Sequence, residues 1–136
     1  MPSSSSMILR GQHILVTEDD YLIAQELTEA LECEGAEVVG PVATVDDARR
    51  LTLETAKLDG AVLDVNLRGE MIWPVADILF SRHVRLVFAT GFAAGPIKKF
   101  YNRCQVAEKP APAGAVVRLL ATEQLSPPQV PSEAAP

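Results

Sequence analysis

The chain has 136 residues, 48% of them hydrophobic, enough apolar material for one covered core and hardly for two. Its formal net charge is -6, with a pI of about 4.8, so bulk electrostatics oppose polyanionic and anionic-membrane surfaces and exclude a non-specific nucleic-acid binder. Cys33 and Cys104 lie far apart without C-x-x-C or metal-finger spacing, and read as reduced thiols of a cytoplasmic protein or at most as one bridge.

The polar, serine-rich start carries no export signal, and no stretch approaches the ~18 apolar residues of a membrane span. Residues 1–8 read as a flexible N-terminus and 9–123 as one domain. Residues 124–136, holding Pro127, Pro128, Pro131 and Pro136, read as a Pro-rich disordered tail.

His13 to Thr17 is a β-branched apolar run that stops at Glu18, Asp19 and Asp20, as a buried strand entering a polar loop does. A helix follows over Tyr21 to Glu34, with Ile23, Leu27, Ala30 and Leu31 at helical spacing, Asp20 as its N-cap and Gly35 as its stop. The unit repeats: a strand from Glu37 to Val42, a helix from Asp46 to Lys57, and a strand from Gly60 to Val65. Leu67 to Glu70 reads as a loop. Pro74 suits the first turn of a third helix ending near Arg82, and Arg85 to Thr90 forms a fourth strand. Between Gly91 and Asn102 the glycines and Pro96 leave room only for a short, irregular or mobile fourth helix. A short fifth strand at Cys104 to Ala107 and a last helix at Ala113 to Thr122 complete the alternation.

Apolar strands alternating with helices predict an α/β fold: a doubly wound, five-stranded parallel sheet covered on both faces. Functional groups of such sheets gather beyond the carboxyl ends of the strands. Glu18, Asp19, Asp64, Thr90 and Lys109 all fall there. Three carboxylates in one crevice repel by ~4 kcal/mol per pair at 4 Å and an effective dielectric near 20, so the site calls for a cation. Magnesium with oxygen ligands and retained waters meets that need.

Four segments together resemble response-regulator receiver domains over roughly Ile8 to Glu123: ILVTEDD (14–20), LDVNLRGE (63–70), FATGF (88–92) and EKP (108–110). The resemblance implies the flavodoxin-like strand order 2-1-3-4-5, with Asp64 as phosphoacceptor and Glu18 and Asp19 as the acidic pair holding Mg2+. It further implies Asn66 as a ligand through its backbone carbonyl, and Thr90 and Lys109 as partners of phosphoryl oxygens. A carboxylate is already a nucleophile, so no general base is needed, and the two histidines, His13 and His83, need take no part. His83 reads as a solvent-facing loop residue. The implied partners are a sensor histidine kinase or phosphotransfer protein and a downstream protein, with no nucleic acid and no membrane. The chain would not be an enzyme, because it is itself the acceptor.

FATGF is similar to the Phe-Ala-Thr-Gly-Tyr signature of a narrower bacterial subgroup, with Phe92 in place of the tyrosine. The aromatic that mainstream receivers place three residues before the lysine is here Val106, and the phenylalanine common after Lys-Pro is Ala111. Pro110 resembles a cis-proline turn aiming the lysine inward. Phe92, Phe100 and Tyr101 read as an apolar cover or as a partner surface, and Trp73 as packing. Two rivals remain: a pseudo-receiver that binds a partner without phosphorylation, and a magnesium-dependent phosphohydrolase using an aspartate nucleophile. The hydrolase would want a second acid at the position of Asn66.

Overall fold

Along the chain, apolar runs and amphipathic segments alternate as the sequence predicts, in a computed structural model that describes residues 7–91 and 94–125. The elements are β1 (His13–Thr17), α1 (Tyr21–Cys33), β2 (Glu37–Val42), α2 (Val45–Glu54), β3 (Gly60–Asp64), β4 (Asn66–Leu67), β5 (Glu70–Met71), α3 (Trp73–Ser81), β6 (Arg85–Thr90), α4 (Ala94–Phe100), β7 (Cys104–Glu108) and α5 (Ala113–Leu125). The main sheet is parallel in every pairing, in the order β2-β1-β3-β6-β7, which is the flavodoxin-like order expected.

Strand periodicity divides the core in two. Leu15, Leu63 and Phe88 point to the face under α2 and α3, whereas Ile14, Val16, Val62 and Val87 point to the face under α1 and α5. All of β3 is buried, as a central strand covered on both sides must be. Gly60 opens that strand because space is short there: a Cβ would stand 3.1 Å from both Ile14 Cδ1 and Leu120 Cδ2.

Local chemistry sets the helix ends. The Asp20 carboxylate accepts from the Leu22 and Ile23 N–H groups at 3.0 and 3.2 Å, the N-cap the sequence predicts. Gly35 follows α1 at φ 92°, where a Cβ would come within 2.8 Å of Arg10 Cα. The segment before β1 is tied to this corner, since Ile8 N–H donates to Glu34 Oε1 and Leu9 N–H to Glu34 O, and Leu9 is fully buried.

Several expected boundaries move. The helix predicted to reach Lys57 ends at Glu54, because the Arg82 guanidinium takes the carbonyls of Thr52, Thr55 and Ala56 at 2.8–2.9 Å and so satisfies its last turn from outside. The third strand ends at Asp64 rather than Val65. The predicted 67–70 loop is a small hairpin, β4 pairing with β5 around Arg68 and Gly69, both at positive φ. Helix α4 is short, as expected, and α5 continues to Leu125, past the predicted end at Thr122 and two residues into the stretch read as tail. The rest of that tail, residues 1–6 and Phe92 lie outside the described residues.

Both cysteines are free, Cys33 exposed and Cys104 buried, and His83 is solvent-facing. No helix among the described residues is long and apolar enough to cross a membrane.

Candidate functional site

Because β1 and β3 are neighbours in parallel, their last residues and the loops beyond them open at the same end of the sheet. The Thr17 hydroxyl accepts from the Asp64 N–H at 3.1 Å and locks the two strand ends together. Immediately past Thr17, Glu18 turns inward and is 3% exposed, while Asp64 is 5% exposed. One carboxylate oxygen from each of Glu18, Asp19 and Asp64 lies within 4.8 Å of the others.

The supporting hydrogen bonds hold each acid in place. Asp20 N–H donates to Glu18 Oε2 at 3.1 Å, and Arg68 N–H in the β4–β5 turn donates to Asp19 Oδ2 at 3.0 Å. Asn66 N–H donates to Asp64 Oδ1 at 3.3 Å, bringing the Asn66 main chain to the site, and its side-chain Oδ1 accepts from Gly69 N–H at 2.8 Å. Asp20 spends its carboxylate on the α1 cap and stands apart from the cluster, as its sequence context predicts.

Lys109 supplies the positive charge. Its Nζ lies 2.9 Å from Asp64 Oδ2 and 3.6 Å from Glu18 Oε1, and its N–H donates to Thr90 O at 2.7 Å. The Lys109–Pro110 peptide is cis, as expected from the resemblance. Thr90 is buried at the end of β6, one residue beyond Ala89, the register partner of Asp64. Val106 stands opposite Phe88 on β7, so no aromatic occupies that position. Beside the site, between α1 and the β7–α5 connection, a groove of about 720 Å³ reaches Glu18 and Lys109, with Ala111 in its wall.

One lysine against three carboxylates leaves an excess of negative charge. Burial pushes the Glu18 carboxyl up to about 7; the Asp20 N–H opposes this, the hydrogen bond and charge of Asp64 add to it, and Lys109 pulls it back. Burial works to lower the Lys109 ammonium, but Asp64 and Glu18 outweigh it and raise it. The donor set is all hard oxygen and short of positive charge, which fits a small divalent cation such as magnesium. Glu18, Asp19 and Asp64 would hold it, and its chemistry there would be charge neutralisation around an incoming anion.

Two contributors escape the sequence reading. Thr17 reads as an ordinary strand residue, although a hydroxyl closing an apolar strand before three acids is a usable signal. Arg68 acts through its N–H, for which side-chain chemistry gives no sign.

No protein-family model and no curated protein matches the chain. Among solved structures, SdrG from Sphingomonas melonis Fr1 is 36% identical, with 84% of this chain and 97% of SdrG covered at a TM-score of 0.69. The chain belongs to the response-regulator receiver family. Two further receiver-fold structures fall below 25% identity and bear on the fold alone. One is a response regulator protein from Burkholderia pseudomallei with a phosphorylated aspartic acid, a calcium ion and citrate (21% identity, 83% of this chain and 70% of that one, TM-score 0.69). The other is the CheX-CheY-BeF3-Mg+2 complex from Borrelia burgdorferi (14%, 86% and 92%, TM-score 0.72). For this receiver, the five polar positions singled out in the sequence therefore sit at the strand ends of a receiver sheet. Glu18, Asp19 and Asp64 converge, Lys109 meets Asp64 and Glu18, and Thr90 is placed beside them by register; Asn66, a sixth position, reaches the site through its main chain.

Proposed function

We propose that this receiver takes a phosphoryl group onto Asp64 from a phosphohistidine of a sensor histidine kinase or phosphotransfer protein, and signals by altered protein contacts. The observation that carries the reading is the buried Asp64 carboxylate, 2.9 Å from Lys109 Nζ and within 4.8 Å of the Glu18 and Asp19 oxygens. An Asp64 carboxylate oxygen attacks phosphorus, the P–N bond breaks with its electron pair going to the imidazole, and an acyl phosphate remains. Lys109 Nζ, already at the carboxylate, takes one phosphoryl oxygen, and the Thr90 hydroxyl takes another. Glu18 and Asp19, with Asp64 and the Asn66 carbonyl, hold Mg2+, which neutralises the crowded negative charge when bound. The chain turns over no other substrate and acts in the cytoplasm, without nucleic acid or membrane. We assign it to the Phe-Ala-Thr-Gly-Tyr subgroup on FATGF and on the small Val106.

Incubation with magnesium and a small phosphodonor, or with beryllium fluoride, tests the reading by intact mass and amide NMR. Wild type should gain an adduct or shift its site resonances, and Asp64→Asn should do neither; equal behaviour rejects the proposal. Asp19→Ala should weaken magnesium binding far more than Asp20→Ala, whose carboxylate is engaged in the helix cap. The pseudo-receiver reading draws on Val106 and predicts no response in either protein.

A further inference from the structure

On the far side of the sheet from α1 and α5, a second groove of about 450 Å³ runs between α3 and α4, walled by Trp73, Asp77, Pro96, Ile97, Phe100 and Tyr101. Its floor is fixed. Tyr101 stacks on Trp73 at 6.0 Å and 21° and leans on Phe88 at 5.2 Å, and its hydroxyl donates to Asp77 Oδ1 at 2.7 Å. A rigid aromatic floor offers apolar contact at little ordering cost to the receiver.

The rim combines an exposed ring with exposed cations. Phe100 is 78% exposed although Tyr101 beside it is buried, so the ring packs on nothing that would account for it. At roughly 100° per residue, Pro96, Ile97, Phe100 and Tyr101 form one stripe, and Lys98 and Lys99 flank it on either side. Both lysines are exposed, and no carboxylate among the described residues lies within ion-pair distance of either. Two exposed cations thus stand beside an exposed aromatic in a protein of net charge -6. The one carboxylate in the groove, Asp77, lies on the α3 wall and already accepts from Tyr101.

We infer that the α3–α4 groove docks a short segment of a protein partner that carries one bulky apolar anchor flanked by acidic residues. The anchor fills the aromatic groove against Phe100, and the acids meet Lys98 and Lys99. This rests on the protein-contact half of the function proposed above and not on Asp64 chemistry.

The full chain has a single tryptophan, Trp73, which lines the groove and reports its occupancy by fluorescence. Two tryptophan-free synthetic peptides, with the same Phe-Leu core flanked by glutamates in one and by lysines in the other, are titrated into the unphosphorylated protein. The glutamate peptide should change Trp73 emission saturably, with an affinity about tenfold or more tighter than the lysine peptide, although bulk charge favours the reverse. Lys98→Glu/Lys99→Glu should invert the order, and Phe100→Ala should weaken binding severalfold; these residues are exposed, and circular dichroism verifies that the variants fold. Equal or better binding of the lysine peptide, or no saturable change, overturns the inference. So does a concentration-dependent Trp73 change without peptide, which would give the groove to a second copy, or a change on deleting 126–136, which would give it to the chain's own tail. None of these readings involves Asp64, so their failure leaves the phosphoacceptor proposal standing.

Discussion

Beneath α1 and α5 the sheet is lined by branched aliphatic chains, Leu27, Leu31, Val116 and Leu120 among them, whereas beneath α3 and α4 it meets four rings, Trp73, Phe80, Phe88 and Tyr101, at centroid distances of 5.2–6.0 Å. Aliphatic side chains interdigitate closely, and at Gly60 a Cβ would press to 3.1 Å on the side-chain ends of Ile14 and Leu120. Rings are rigid plates that meet tilted or edge-on, and the groove lies where their edges and the short α4 stop short of closing. Each side of the sheet therefore has an opening of its own: the aromatic side a groove of about 450 Å³ between α3 and α4, the aliphatic side the groove of about 720 Å³ that ends at Glu18 and Lys109. The acid site lies across the strand ends between them and depends on both for its rigidity.

The comparison is broken most directly on the aliphatic face. Leu120→Ala removes a fully buried side chain and should cost about 2–5 kcal/mol by urea unfolding. A loss below about 1 kcal/mol would mean that this face relaxes as freely as the aromatic one. The seam comes next. With magnesium chelated, the folded chain keeps a proton on Glu18 up to about pH 7, while the unfolded chain releases it near 4.5. Between those values the native state binds more protons, so stability falls as pH rises, by on the order of 1–3 kcal/mol between pH 5 and 7.5. Burial opposes ionisation of Asp59, but the His13 N–H and Lys57 hold its carboxyl below its ordinary 3.8, so its contribution is lost only at pH values beneath this window. Glu18→Gln should flatten the profile and magnesium should offset it, since the bound ion favours the charged carboxylate; an unchanged slope in the variant would place the titration elsewhere.

These two regions also differ in how far the sequence discloses them. The strands are legible because a parallel strand covered on both faces must be apolar along its length. The site is legible because its acids, Thr90 and Lys109 are written next to strand ends that the topology then brings together. Asp20 and Gly35 mark α1 by rules that act within a turn of the chain. What stays hidden depends on distant partners. The end of α2 is set by Arg82, 26–30 residues further on. The β4–β5 turn uses Arg68 and Gly69 at positive φ without the Asn-Gly or Asp-Gly that would announce it. Tyr101 and Phe100 are adjacent aromatics with opposite fates, one buried and one exposed, and only the placement of α3 decides which.

On the aromatic face itself, Tyr101→Phe removes the hydroxyl bonded to Asp77 and keeps the ring contacts. Asp77 is exposed and recovers water, so the cost should be about 0.5–1.5 kcal/mol in urea unfolding. A larger loss would show that the hydroxyl, and not ring packing, holds α4 against α3.

The smallest effect is the most discriminating. Phe100 has most of its surface in water in the folded chain, so truncation to alanine forfeits almost no burial and should leave the unfolding free energy within about 0.5 kcal/mol of wild type. The same change deletes the apolar rim of the groove. If Phe100→Ala destabilises by 2 kcal/mol or more, the ring is packed in solution and the α3–α4 groove is filled by it. If stability holds while binding of the acidic peptide weakens, the ring serves recognition, and the asymmetry between the two faces of the sheet is functional.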